Sequence, residues 1–172
     1  MKLRVRPETE KDLEAITTIH NMAFGQPNEA VLVEKLRRTP AFIPELSLVA
    51  EFDRVIIAHV LFYPVKIISG EKEHQTLSLA PIGVLPKSQN QGIGSTLIKN
   101  GLLRATHHGH TCVIVLGHPQ YYPRFGFIPA STWGIKLPFD APDNAFMALE
   151  LVDGALENKR GFVRYPDQFA YV

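Results

Sequence analysis

The 172-residue sequence holds a single cysteine, Cys112. One thiol rules out an internal disulfide and a cysteine-rich zinc site, and a reducing, cytoplasmic compartment is the expectation. Charge of one sign is also lacking. Lys and Arg number 18 against 17 Asp and Glu, a formal charge of +1. That leaves no electrostatic case for nucleic acid or a membrane surface as partner. No apolar run approaches the roughly 18 residues of a membrane span. The start, MKLRVRPETEKD, is too charged for a signal peptide. Repeats and low-complexity segments are missing too. What is present is a globular composition, 45% hydrophobic and 20% charged, in a chain long enough for one domain with a sizeable core.

Apolar spacing sets the expected elements. Leu3 to Arg6 alternates as a short strand, and Pro7 ends it. Thr9 with Asp12 resembles a capping box with a shortened acid. Leu13, Ile16, Ile19 and Ala23 then recur at helical spacing. The segment FGQPN breaks that helix. A second is expected over Glu29 to Arg38, with Val31, Leu32 and Leu36 inward. Leu46 to Phe52, Val55 to Ile68 and Gln75 to Leu85 read as a strand meander, with a bend expected at Pro64. Gly92 to His107 is expected to be a helix presenting Ile93, Leu97, Ile98, Leu102 and Ala105 on one face. Cys112 to Leu116 reads as a strand buried on both faces. Pro119 to Phe125 reads as a helical turn, and Phe127 opens an extended segment. After Pro138 the pattern weakens, leaving Ala145 to Leu151 and Gly161 to Tyr165 as strand candidates. This order predicts a single α/β domain: a mixed, mostly antiparallel sheet flanked by helices. Residues 1–130 form the expected core and residues 131–172 an extension of the same domain.

The chemistry concentrates in SLAPIGVLPKSQNQGIGSTLI, Ser78 to Ile98. A strand feeding a glycine-containing turn and then a helix suits an anion. The first helical amides lack internal partners, and the dipole adds positive potential. Gly92 and Gly94 let an anion approach the backbone. Gln89, Asn90 and Gln91 add neutral donors, and Ser95 and Thr96 offer hydroxyls. A P-loop needs lysine after its last glycine, but Ser95 follows Gly94. A dinucleotide fingerprint needs a small residue where Leu97 stands, and an acid about 20 positions on. The segment CVIVLGH has no acid.

Gln89-Asn90-Gln91-Gly92-Ile93-Gly94 resembles the Q/R-x-x-G-x-G/A motif of the GNAT N-acetyltransferase superfamily, and Tyr122-Pro-Arg-Phe-Gly126-Phe127 resembles its Y-x-x-x-G-F. The strand LAPIGVLP and the element order match as well, over roughly Leu3 to Pro129. The wider HPQYYPRFGF is similar to the YhbS-like branch of uncharacterised acetyltransferases.

The resemblance implies acetyl-CoA as acyl-donor cosubstrate and no metal. It implies that Gln89, Asn90, Gln91, Gly92, Ile93, Gly94 and Ser95 grip the pyrophosphate. Ile82, Gly83 and Val84 would pair with pantetheine as an added strand, and a backbone N–H near Val84 would polarise the acetyl carbonyl. Tyr122 would be the general acid for the departing thiolate, since a phenol keeps its proton at neutral pH; the alternative is a ring that only packs. Attack would be direct, in a ternary complex, because Cys112 lies in a buried strand and makes a poor covalent relay.

The base is open. Glu51, Asp53 and His59 flank the meander, and its last strand carries no carboxylate. Glu29 is either an amine ligand or a carboxylate at a helix N-terminus. Arg124 and Lys87 are either phosphate ligands or solvated cations. His118 either touches pantetheine or caps the short helix. His107, His108 and His110 fit a helix end better than a metal site. The residues after 130 either close over the acceptor or form a homodimer contact. The expected partner is a small-molecule or peptide amine. A non-catalytic acyl-CoA sensor of the same fold is the rival class, and a longer acyl group is a further alternative.

Overall fold

In the computed structural model, which describes residues 2–171, the chain starts as strand β1 (Leu3–Pro7). A capping interaction follows, with the Thr9 amide donating to Asp12 Oδ2 at 2.7 Å. The same carboxylate accepts from Arg6 Nη1 at 2.7 Å, so one side chain ties the strand to the helix start. Helix α1 (Leu13–Phe24) buries Ile16, Ile19 and His20. Helix α2 (Asn28–Arg37) buries Glu29, Ala30, Leu32, Val33 and Leu36. Val31, expected inward, is instead 38% exposed. The buried positions advance by three and four from Glu29, and Val31 falls off that stripe.

Strand β2 (Ser47–Phe52) pairs antiparallel with β1, from Leu3 opposite Phe52 to Pro7 opposite Leu48. The turn Asp53-Arg54 has both φ angles positive, at 50° and 66°, as a tight primed hairpin turn requires. Strand β3 (Val55–Ser69) then runs unbroken through Pro64. The proline does not interrupt the strand. On that edge β2 pairs as far as Leu61, and β9 (Gly161–Arg164) pairs from Lys66. Pro64 falls between the residues of these two ladders, where a missing N–H is tolerated.

Strand β4 (Lys72–Val84) follows β3. Helix α3 (Ile93–His107) buries Ile93, Leu97, Ile98 and Ala105. Strand β5 (Cys112–Leu116) is buried up to Val115. The remaining strands are β6 (Ile128–Pro129), β7 (Ile135–Lys136) and β8 (Phe146–Glu150). The strand order is β1-β2-β3-β4-β5-β8-β6, with β9 joining β3 and β7. Among the described pairings, β4–β5 and β7–β9 are parallel and the others antiparallel, so the domain is a mixed α/β fold with a mostly antiparallel sheet. Among the described residues no helix is long and apolar enough to cross a membrane.

The chain divides into two compact units. Met1–Tyr63, Ala80–Arg104 and Asp167–Val172 form the first; Pro64–Leu79 and Ala105–Pro166 form the second. In the first, the Phe62 ring packs on the backbone of Gly101 in α3. The Tyr63 hydroxyl hydrogen-bonds Thr39 Oγ1 at 2.6 Å, and its ring lies 6.0 Å from that of Phe169. In the second, residues after 130 supply strands β7, β8 and β9. Strand β8 lies against β5 along its whole length, from Cys112 opposite Glu150 to Leu116 opposite Phe146.

Candidate active site

The turn singled out in the sequence belongs to the first unit. After β4, Pro86–Ser88 makes one 3-10 turn. Asn90 and Gly92 then take positive φ, 63° and 80°, and α3 starts at Ile93. A Cβ at Gly92 would meet no other atom within 4 Å. Glycine is favoured there by its backbone angle, not by crowding. The amide of Thr96 bonds Gly92 O at 3.0 Å, and the Thr96 hydroxyl reaches the same oxygen at 3.0 Å. The amides of Ile93 and Gly94 precede that first helical bond and have no intrahelical acceptor. Gln89 Nε2 donates to Val84 O at 3.0 Å, and Gln91 Nε2 donates to Lys87 O at 3.3 Å. Both glutamine side chains therefore brace the turn, a use the sequence did not suggest. Ser95 lies in the first turn of α3.

The strand feeding this turn has an open edge. The β5 ladder on β4 comprises Leu77 opposite Val113 and Ser78 opposite Ile114. Past Ser78, among the described residues, that edge of β4 carries no β5 ladder, and the Val84 carbonyl is engaged by Gln89 Nε2.

A buried polar chain that sequence reasoning missed stands behind this strand, within the same unit. His20 Nε2 and His59 Nδ1 lie 2.8 Å apart. His59 Nε2 reaches Ser47 Oγ at 2.8 Å and Glu8 Oε1 at 3.2 Å. Ser47 Oγ donates to Glu8 Oε1. Arg37 Nε donates to Glu8 Oε2 at 2.6 Å and Arg37 Nη2 to Oε1 at 3.3 Å. Burial pushes the Glu8 carboxyl up, but the hydrogen bonds from His59, Arg37 and Ser47 together pull it down to about 2. Burial drives both imidazoles down, His20 to about 3, with the neighbouring ring and Arg37 adding to the fall in His20.

These facts fix the tautomers. An ionised Glu8 only accepts, so His59 Nε2 carries a hydrogen and its Nδ1 accepts. His20 Nε2 must then donate, leaving His20 Nδ1 as a bare lone pair. That atom is sealed from solvent and has no hydrogen-bond partner. His59 has both ring nitrogens engaged and no exposure, which removes it as a base in contact with the acceptor. Glu51 pairs with Arg6 at 3.2 Å, and Asp53 sits in the hairpin turn.

The second unit carries the tyrosine. Tyr122 opens the 3-10 helix Tyr122–Phe125 and is 7% exposed. Its ring lies 5.1 Å from Tyr121 and 5.9 Å from the buried Phe127, edge-on to both. A Cβ on Gly117 would strike this ring, so glycine there leaves room for tyrosine. Burial, helped by Tyr121, pushes the phenol up to about 12. The Tyr122 hydroxyl is not among the sealed, unpartnered polar atoms of the described residues, which are His20 Nδ1 and His74 Nε2. The Tyr122 phenol therefore keeps its proton, on a ring that is packed in place.

Arg124 stacks on Tyr121, with its guanidinium carbon 4.5 Å from the ring centre and Nε donating to Tyr121 O at 2.9 Å. Lys87 is exposed in the 3-10 turn after β4. His118 O accepts from the Tyr121 amide at 3.1 Å, starting the short helix. Glu29 is only 6% exposed, and both its oxygens accept from Gln26 Nε2, at 2.9 and 3.0 Å. Its place in the first turn of α2 is favoured by the helix dipole. Cys112 is buried and touches Thr76 Oγ1 at 3.3 Å.

Known proteins resemble this chain in sequence and fold. The family described as "Acetyltransferase (GNAT) domain" matches residues 4–130. The uncharacterized N-acetyltransferase YhbS of Escherichia coli K12 is 33% identical over 166 residues, covering 96% of this chain and 97% of that protein. The crystal structure of E. coli YhbS in complex with CoA superposes with a TM-score of 0.91 at 30% identity, over 99% of this chain and 93% of the other. A GNAT family acetyltransferase from Brucella melitensis in complex with acetyl-CoA gives 0.79 at 31% identity, over 98% of each chain. A family match over most of the chain and a relative 33% identical across nearly all of it show that the chain belongs to the GNAT N-acetyltransferase family.

Proposed function

We propose that this protein transfers the acetyl group of acetyl-CoA to a primary amine by direct attack. The observation that carries the reading is the open β4 edge running into the Gly92 turn. The two similar structures hold CoA and acetyl-CoA, which supports the same donor here. In this reading Ile82 to Val84 pair with the pantetheine arm, and a backbone N–H near Val84 polarises the thioester carbonyl. Gln89 to Ser95 cradle the pyrophosphate through helix-start amides.

The acceptor nitrogen forms a bond to the carbonyl carbon, and the carbon–sulfur bond breaks. Tyr122 offers its phenolic proton to the departing sulfur, while the nitrogen loses its extra proton to solvent or a buffer base. A phenol pushed up to about 12 keeps its proton through the physiological range. It therefore acts as a donor without first being recharged.

The test is release of free thiol from acetyl-CoA in the presence of a panel of primary amines. Tyr122→Phe keeps the buried ring and removes only the hydroxyl. The turnover number should fall about a hundredfold or more, with acetyl-CoA affinity unchanged. Acetyl-CoA binding without thiol release across the panel would instead favour a sensor, and equal turnover of the two forms would remove the acid role.

A further inference from the structure

Gly83 stands inside β4, one residue before Val84. Glycine weakens a strand unless something must approach its backbone closely. Here the approaching group is His20. A Cβ built on Gly83 would lie 2.9 Å from His20 Nδ1, 3.3 Å from His20 Cε1 and 3.3 Å from Ile19 Cγ2. The imidazole edge thus occupies the space of the missing side chain.

The ring is not free to move. His59 holds it from β3 at 2.8 Å, and Phe24 stacks on it from α1, ring centres 5.9 Å apart. Behind His59 stand Ser47 from β2, Glu8 beyond β1 and Arg37 from α2. The charged groups acting on the pair are Glu8, Arg37 and, on His59, Asp12. The direction of hydrogen bonding in this chain leaves His20 with a lone pair, not an N–H, against the Gly83 Cα. A Cα–H facing such an acceptor is a weak attraction, whereas an N–H there would be a clash. Every link in the chain thus serves to hold one ring edge against one backbone carbon.

We infer that His20 is a positioning residue for acyl transfer: locked by His59, Ser47, Glu8 and Arg37, it fills the side-chain space of Gly83 and fixes the Ile82–Val84 backbone on which the acyl donor lies. This rests on the proposed function, which places the donor along that strand. His20 touches no substrate and acts through Gly83. The pair forms a fitted socket, in which glycine makes room for the ring and the ring replaces the side chain.

The experiment is chemical complementation. His20→Gln keeps an amide nitrogen for His59 Nδ1 and removes the ring edge. Gly83→Ala puts a methyl group 2.9 Å from Nδ1, too close for the ring to keep its place. Each single variant should lower the acetyl-CoA kcat/KM about tenfold or more, as sub-ångström misplacement near reacting groups does. The double variant, with the methyl in the vacated space, should recover to within about threefold of the parent. Protection of the Ile82 to Val84 amides from hydrogen exchange should fall in the singles and return in the double. This second readout applies even to a variant too weak for kinetics.

Losses that simply multiply in the double variant, or singles with parental kcat/KM and parental exchange, would overturn the inference. The parent is titrated with acetyl-CoA in parallel. If it neither binds acetyl-CoA nor releases thiol, the functional reading fails, and this inference with it. If it does both while the singles are silent, only the positioning role is lost.

Discussion

Acid should loosen this fold well before it protonates the carboxylates, because the core holds imidazoles that resist charging. In the unfolded chain a histidine titrates near 6.5, whereas folding drives His20 down to about 3. Burial is the main cause, and the His59 ring and Arg37 add to it. The native state therefore binds fewer protons than the unfolded chain below about pH 6.5, and stability falls as pH falls. Each unit of pH between the two values removes about 1.4 kcal/mol per such group. From pH 7 to pH 4, His20 alone accounts for about 3 kcal/mol. His59 is shifted the same way by its burial and steepens the fall. Glu8 joins later: its carboxyl is held down at about 2, so its contribution is full above the unfolded value near 4.5 and is lost as pH falls through 2. For a domain of this length, about 3 kcal/mol corresponds to a melting temperature lower by roughly 6–12 °C. Thermal melts in matched ionic strength from pH 8 to pH 3.5 measure this directly. In the His20→Gln variant, which cannot titrate at that position, the slope between pH 6.5 and pH 4 should be clearly shallower. A melting temperature flat across that window, or a slope unchanged in His20→Gln, would refute the assignment of a neutral buried pair.

Gly117→Ala should push the Tyr122 ring from its seat; overpacking of this kind costs about 1–3 kcal/mol, so melts should show the loss, and turnover should fall with acetyl-CoA affinity preserved. Gly92→Ala meets no neighbouring atom but is held at φ 80°. It should cost about 1–2 kcal/mol of local strain, seen as a roughly tenfold weaker acetyl-CoA dissociation constant by calorimetry. Unchanged affinity would show that the turn is not the anion cradle.

What the sequence revealed and what it hid divide along one physical line. Glycine at a positive φ, a capping pair and helical spacing are local, so the Gln89–Gly94 turn, the Thr9–Asp12 box and α3 could be read directly. Element order through β5 was legible for the same reason. Sheet pairing is not local. Nothing in residues 131–172 says that β8 lies along β5, or that β9 takes the edge of β3 beyond Pro64. The polar chain was hidden more deeply, because Glu8, His20, Arg37, Ser47 and His59 come from separate elements at no common spacing. One signal was available. His20 sits beside Ile19 on the apolar face of α1, and a histidine on a buried face needs partners. His59, in a β-branched strand, was the natural place to look.

Gly83 and Gly117 show how the two kinds of information combine. Gly83 lies between Ile82 and Val84, and Gly117 between Leu116 and His118, where a larger side chain would have served a plain strand or loop better. In each case an aromatic ring fills the missing Cβ space: the His20 imidazole at Gly83 and the Tyr122 phenol at Gly117. A ring seated on bare backbone loses rotamer freedom without needing a hydrogen bond at its own tip, which leaves that tip available. For Tyr122 the free tip is a hydroxyl, the group proposed to protonate the leaving sulfur. For His20 it is a lone pair turned onto the strand proposed to carry the donor. The Phe62 ring takes the same space at Gly101, so close approach alone marks packing; Gly83 and Gly117 differ in the polar group their rings carry.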